Sequence, residues 1–420
     1  MDGTLPSYED ASLLVADYAA ERLFQRPPTE TVGLSAAMGR ILARTLHADR
    51  DQPPFPRSTR DGFACRAAEA STHMLLDIAG SSRAGSAPAG PLPPGGAWEI
   101  MTGAPVPIGA DAVMMVEHAE VESGQVWLLP PRTLALGENV VAQGAQAQTG
   151  DPLLAAGTPI HFAQVALAAT CGYDALEVFA RPRVAILTTG DELVPVDSAP
   201  APGQIRNSNA PMLAALVSAA GGEPWVLPTA ADTDESLDRL FALAAGADML
   251  LISGGVSAGK FDLVEPALAR AGGTFHFTGV HIQPGKPLVF GELPRKGSSG
   301  EAAPVPLFGL PGNPVSTAVT FLLFGQPVLG ALAGSLTPGP RFALARLASA
   351  AHQHGKKGLT RFLPASCTFG EGSELPDVVC VSTQGSGDVA ALALSNCFIC
   401  VPEGVHRFEQ DEIVRILLMP

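Results

Sequence analysis

Between Arg181 and Leu332 the chain alternates short, wholly apolar runs with amphipathic helical stretches, and no other feature restricts its fold as strongly. Val184-Ala-Ile-Leu reads as a buried strand, Ala210 to Ala220 as a helix ended by Gly221-Gly222, and Glu223 to Leu227 as the next strand. Ser236 to Ala245 reads as a second helix, Met249-Leu-Leu-Ile as another buried strand, and Leu263 to Ala271 as a helix closed by Gly272-Gly273. Strands follow near Phe275 to Val280, Leu288 to Phe290 and Val305 to Leu310. A long apolar helix then starts at Pro314 with Asn313 as its N-cap. Strands buried on both faces, with helices between them, predict a mostly parallel, doubly wound sheet.

The chain has 420 residues, too many for that unit alone. Behind Ser7-Tyr-Glu-Asp, an apolar stripe of Leu13, Leu14, Ala16, Ala19, Leu23 and Phe24 predicts a helix that Pro27-Pro28 stops. From Gln52-Pro-Pro-Phe-Pro to about Val141, alternation and turn residues predict a β domain over 51–141. A helix between Pro159 and Cys171 is expected to pack near the N-terminal segment, joining 1–50 and 142–180 into one discontinuous domain. The doubly wound domain takes 181–333. Alternation without helix signals makes 334–420 a C-terminal β domain.

Hydrophobic residues make up 46% and charged residues 16%, which argues for packed cores and against global disorder. Twenty-six Lys and Arg against 41 Asp and Glu give a formal charge of −15, so nucleic acid and anionic lipid find no long-range attraction. An anionic substrate would need local cations. The best membrane candidate, Val315 to Leu332, contains Thr317, Thr320, Gln326 and Pro327, and no span is predicted. The acidic start lacks the pattern of a secretory signal, and six scattered cysteines read as reduced thiols in a cytoplasm. Cys397 and Cys400, on a strand-like run, should face opposite ways as core residues.

In an open parallel sheet, ligands collect outside the carboxyl ends of the strands. Four loops should open there: Thr188-Thr-Gly-Asp-Glu, Ala231-Asp-Thr-Asp, Ser253-Gly-Gly-Val-Ser-Ala-Gly and Leu310-Pro-Gly-Asn-Pro. Gly190, Gly254, Gly255, Gly259 and Gly312 let backbone N–H groups approach an anion, and Ser253 and Ser257 add hydroxyls, which suits phosphate. Asp191, Glu192, Asp232, Asp234 and Asp262 place carboxylates on the same edge, for which magnesium is the natural partner. Asp232 and Asp234 read equally well as helix caps, and Asp262 has a capping reading too. Arg206, Lys260 and Lys286 supply positive charge. His352-Gln-His354 reads as a solvated turn, and no Ser-His-Asp set stands out.

Six ordered blocks then resemble the molybdopterin molybdenumtransferase (MoeA) family, to which the gephyrin E domain is related. They are Ser58-Thr-Arg-Asp-Gly-Phe-Ala, Met101-Thr-Gly-Ala-Pro-Val-Pro-Ile-Gly-Ala-Asp-Ala-Val, Thr189-Gly-Asp-Glu-Leu, Ser253-Gly-Gly-Val-Ser-Ala-Gly-Lys-Phe-Asp, Pro284-Gly-Lys-Pro and Leu310-Pro-Gly-Asn-Pro-Val-Ser. The resemblance implies a multidomain α/β protein: a doubly wound, mostly parallel MogA-like sheet domain, two β domains and a discontinuous, elongated α/β domain. It implies a homodimer and insertion of molybdenum from molybdate into adenylylated molybdopterin, with magnesium and release of AMP. The alternatives are a molybdopterin adenylyltransferase and a non-catalytic pterin-binding scaffold.

By the same resemblance, the catalytic residues would be Asp61, Thr102, Asp191, Glu192, Asp262 and Lys286, with Asp61 and Thr102 reaching across the dimer. Asp191, Glu192, Asp232 and Asp262 would hold the metal. Thr189, Gly190, Ser253, Gly254, Gly255, Ser257, Pro311, Gly312, Asn313, Arg361 and Ser386 would bind the substrates. Implied partners are a second copy, a molybdopterin adenylyltransferase and molybdoenzyme maturation factors. The chain departs from common family patterns at Thr59-Arg60, Gly279 and Gln283, the last two standing where relatives commonly carry lysine.

Overall fold

The computed structural model describes residues 5–23, 27–85, 87, 90–231, 233–255, 264–295, 303–352, 358–370, 374–405 and 407–420. The first helix, α1 (Tyr8–Leu23), is capped by Ser7, whose Oγ accepts from the Asp10 N–H at 3.0 Å. Its buried face carries Tyr8, Ala11, Val15, Tyr18 and Ala19, whereas Leu13 is 62% exposed and Ala16 also faces out. The expected stripe is therefore rotated. Two tyrosines set the helix face, because each buries a ring while Tyr18 also sends its hydroxyl to Glu292 Oε1 at 2.6 Å. Phe24 of that stripe lies outside the described residues.

Thr29–Gly33 pairs antiparallel with Ala175–Phe179, and Leu46–His47 pairs with Pro152–Leu154, so the segments before and after the inserted β region form one unit. The inserted region builds a six-stranded sheet that includes Gly62–Cys65, Leu76–Ser82 and Gly96–Ile100. Its core is local: Phe63, Leu76, Met114, Val126 and Leu128 pack together, with Ile100 and Val113 in a second small cluster.

The doubly wound region runs β1 (Arg183–Thr188), α2 (Asn209–Ala219), β2 (Glu223–Val226), α3 (Asp234–Leu243), β3 (Met249–Ser253), α4 (Val264–Arg270), β4 (Thr274–Phe277), β5 (Ile282–Gln283), β6 (Val289–Leu293) and β7 (Val305–Leu310). The sheet order is β2-β1-β3-β7-β6-β4. The first four strands are parallel, whereas β6 and β4 run antiparallel to their neighbours. The helical run Pro314–Leu332 follows, interrupted by a π-helical turn at Phe321–Gly325. It is long and apolar enough to cross a membrane, yet 83% of it is buried inside the fold, where it serves as a core helix.

In the C-terminal region, β8 (Thr360–Thr368), Asp377–Cys380, Phe342–Leu347, Ile413–Leu418 and β9 (Cys397–Val401) close into a ring, because β8 pairs with β9 as well as with Asp377–Cys380. A short helix, α5 (Val389–Ala393), capped by Asp388, interrupts a stretch expected to be all β. Cys397 packs inside the ring and Cys400 in the core beneath α1, so the two thiols face opposite ways. One pairing matters most for the site: β5, from the doubly wound region, lies parallel to the start of β8, with Gln283 opposite Arg361.

Candidate active site

The carboxyl ends of β1, β3 and β7 converge on one cavity of about 1090 Å³. Each strand delivers a loop for a local reason. After β3 the chain turns through Gly254 and Gly255 with positive φ; a Cβ on Gly254 would lie 2.5 Å from Thr189 O, so only glycine passes so close to the β1 loop. After β7, Pro311-Gly312-Asn313 leads into the long helix, with Pro314 at its first turn. The β5–β8 pairing closes the far side with Lys286 and Arg361.

Of the sequence-predicted residues, Thr189, Gly190, Glu192, Ser253, Gly254, Gly255, Lys286, Pro311, Gly312, Asn313, Arg361 and Ser386 all line this cavity. Arg206 lines it too. Asp232, Ser257, Gly259, Lys260 and Asp262 lie outside the described residues, as do Gln353 and His354. Asp191 is exposed beside the cavity and is not among its lining residues. Asp61 and Thr102 do not line it either; they face each other on the inserted β region, where Asp61 Oδ1 accepts from Thr102 N at 2.6 Å and from Thr102 Oγ1 at 2.7 Å. Those hydrogen bonds, the backbone one foremost, hold the Asp61 carboxyl below its usual range.

Several expected roles change on inspection of the hydrogen bonds. Ser253 is 2% exposed, and its hydroxyl accepts from Asn209 Nδ2 at 2.8 Å while donating to Pro311 O at 3.3 Å, so it ties β3 to β7. The Gly254 N–H donates to Leu310 O, so it is not a free anion donor. Asn313 occupies the N-cap position, but its side chain makes no cap and donates instead to Ser386 Oγ at 3.0 Å. Asp234 is not the cap of α3: Thr233 accepts from the Ser236 N–H, and Asp234 pairs with Arg270 at 2.9 Å.

The electrostatics of the cavity are uneven. Arg361 is 4% exposed; its Nη2 donates to Val405 O, whereas Nη1 is buried with no partner among the described residues. Burial lowers its pKa, yet a guanidinium remains protonated at neutral pH. Thr189 Oγ1 is likewise buried, with no partner among the described residues. Such groups are costly unless something answers them, and both belong to the cavity wall. Arg206 and Lys286 add exposed cations, and Glu192 adds one carboxylate, folded back over Gly190. The lining thus suits a large, polyanionic ligand with room for a second oxyanion.

Two contributors escape a motif reading. Asn207 Nδ2 donates to Thr188 Oγ1 at 2.8 Å and to Thr229 Oγ1 at 3.2 Å, while its Oδ1 caps the Ala210 N–H. Asn209 links the β3 and β7 loops. The signal was present, two asparagines flanking Ser208 immediately before a helix, but such residues ordinarily read as caps.

Comparison with known proteins matches residues 7–172 to the MoeA N-terminal region (domain I and II), 185–331 to a probable molybdopterin binding domain, and 345–419 to the MoeA C-terminal region (domain IV). The molybdopterin molybdenumtransferase of Nostoc sp. (strain PCC 7120 / SAG 25.82 / UTEX 2576) is 34% identical, over 99% of this chain and 94% of its own length. That of Bacillus subtilis (strain 168) is 35% identical over 98% and 95%. The crystal structure of the molybdopterin biosynthesis moeA protein from Pyrococcus horikoshii OT3 superposes with a TM-score of 0.80 at 27% identity, covering 99% of this chain and 100% of that one. On this likeness along its whole length, the chain belongs to the molybdopterin molybdenumtransferase family.

Proposed function

We propose that the protein inserts molybdenum into adenylylated molybdopterin, consuming molybdate and releasing AMP. One observation carries this reading: a cavity at the carboxyl edge of a parallel sheet gathers Arg206, Lys286 and Arg361 in a chain of formal charge −15. Two like unit charges about 4 Å apart repel by about 4 kcal/mol at an effective dielectric of about 20, so an oxyanion and a pyrophosphate meet only where cations offset that repulsion. In this reading Thr189 and the β3 loop hold the phosphates, while Lys286 and Arg361 hold the oxyanion opposite them.

Among the described residues no group of three or more His, Cys, Asp or Glu side chains comes together as a metal centre. A magnesium ion arriving on substrate phosphates needs only one or two carboxylates, which Glu192 and its neighbour Asp191 would supply. Bound there, it would neutralise phosphate charge. We place Asp61 and Thr102 on the rim of a partner copy's cavity in a homodimer, since both are exposed and stand apart from the cavity of their own chain. Six unpaired cysteines support a cytoplasmic setting.

An adenylyltransferase would need only the doubly wound region. Arg361 and Ser386, from the C-terminal region, line the same cavity and favour insertion. The test is to supply purified protein with adenylylated molybdopterin, magnesium and either molybdate or tungstate, and to quantify AMP and protein-bound metal. AMP formed in step with metal uptake is the expected result. Pterin binding without AMP release would leave only a scaffold, and, in a parallel incubation with molybdopterin and ATP but no molybdate, synthesis of adenylylated pterin would transfer the assignment to the adenylyltransferases.

A further inference from the structure

Asn209, the first residue of α2, sits where the loops after β3 and β7 meet, and it is only 9% exposed. Its Nδ2 donates to Ser253 Oγ at 2.8 Å, to Gly312 O at 2.7 Å and, more weakly, to Thr317 Oγ1 at 3.4 Å. A backbone carbonyl can only accept, so the Gly312 contact fixes which end of the amide is nitrogen. That leaves Oδ1 on the opposite side, buried and without a partner among the described residues. A buried amide with an orphaned acceptor is not retained for its own satisfaction. Its nitrogen bridges two loops that share no sequence motif and that both line the cavity.

We propose that Asn209 is a positioning residue of this site: by donating to Gly312 O and Ser253 Oγ together, it sets the spacing between the Gly254-Gly255 turn and the Pro311-Gly312 turn, and thereby the width of the phosphate seat. Ser253 relays the same constraint, since its hydroxyl passes on to Pro311 O. Asn207, two residues earlier, holds the β1 edge through Thr188, so α2 starts from a platform already fixed to the sheet. The inference rests on the proposed use of the cavity for the adenylylated pterin.

Asn209→Asp provides a readout that a merely structural residue would not move. An ionised carboxylate would repel Gly312 O, whereas the protonated acid can donate to it, and burial favours the protonated form. The variant should show a KM for adenylylated molybdopterin raised about tenfold near about pH 8 and regained as the pH falls, with kcat little changed and no such limb in the parent protein. Asn209→Leu should lose the seat at every pH. In that variant, amide hydrogen exchange in peptides covering 250–255 and 308–317 should quicken while the rest of the sheet keeps its protection. Parallel pH profiles for the parent protein and Asn209→Asp, or unchanged exchange in Asn209→Leu, would overturn the proposal. Exchange needs no substrate, so a parent protein that releases no AMP would sink the proposed function while the exchange result still decides the role of Asn209.

Discussion

Arg361 brings a nearly buried cation to a wall where one guanidinium nitrogen has no partner among the described residues, which suits the anion-holding role proposed for it. Arg361→Met should raise the molybdate KM at least about tenfold while leaving the melting temperature little lowered, because a buried charge and its desolvation cost leave together. Arg361→Lys makes a sharper test. A lysine there would have its pKa depressed by burial, so it would be charged at low pH and lose its charge, and the activity with it, as pH rises through that value. Steady-state kinetics across pH checks both. Gln283, opposite Arg361 on β5, is exposed on the same cavity; Gln283→Lys should lower the molybdate KM a few-fold, an effect that fades with added salt. Lysine at Gly279 would behave differently, because a Cβ there would lie 2.8 Å from Leu5 Cδ2, which would have to turn aside, and 3.3 Å from Lys286 O. For Asp61, complementation at molybdate well below the Arg361→Met KM, where each variant alone is nearly silent, is decisive: if Asp61 serves the partner's cavity, mixing Asp61→Ala with Arg361→Met should restore up to about a quarter of parental activity, since heterodimers would contain one intact site. No recovery would place Asp61 outside that chemistry.

At the level of elements, the glycine pair after β3 shows why a loop can be legible when its neighbours are not. Gly254→Ala would force a Cβ to 2.5 Å from a backbone oxygen at a positive φ of 98°, with strain on the order of 1–3 kcal/mol and a displaced β1 loop. Lowered stability in urea unfolding, together with loss of pterin binding, is the expected outcome. Glycines of this kind declare themselves in sequence because no other residue tolerates the geometry. The strands declared themselves by runs buried on both faces, and β1, β3 and β7 fall where those runs lie. The rotation of α1 was not legible, since Tyr8 and Tyr18 count as apolar only once Glu292 and the aromatic core of Phe290, Phe324 and Phe362 stand beneath them. The helix at Val389–Ala393 is too short to carry a period. It depends on Asp388, whose carboxyl accepts from the Ala391 and Gln384 N–H groups and is thereby held below its usual range. Its contribution is present above the unfolded pKa and disappears as pH falls through the folded one, so acid should loosen the Ser386 loop, visible as faster exchange there.

The molecule as a whole is held by cores of unequal reach. One cluster joins Tyr8 and Val15 of α1, Ile186 and Phe290 of the doubly wound sheet, Phe324 of the long helix, and Phe362, Phe398 and Leu417 of the C-terminal ring. The inserted β region keeps its apolar side chains to itself. Shared burial couples unfolding and separate burial uncouples it, so denaturation should show two transitions. The three tryptophans can report them: Trp98 and Trp127 lie on strands of the inserted sheet, and Trp225 lies on β2 beneath the Arg183 guanidinium, 3.7 Å from its ring centroid. Phe362 is fully buried against Tyr8, with ring centroids 5.4 Å apart, and it also lines the cavity. Phe362→Ala should cost about 3–5 kcal/mol, all of it in the transition that Trp225 follows. In single-tryptophan variants, the midpoint seen by Trp225 should fall while that seen by Trp98 or Trp127 stays put, and pterin affinity should fall because Arg361 loses its neighbour on β8. If all three probes moved together, the inserted region would belong to the same cooperative unit, and the separation of its core from the one that joins α1, the doubly wound sheet and the C-terminal ring would be wrong.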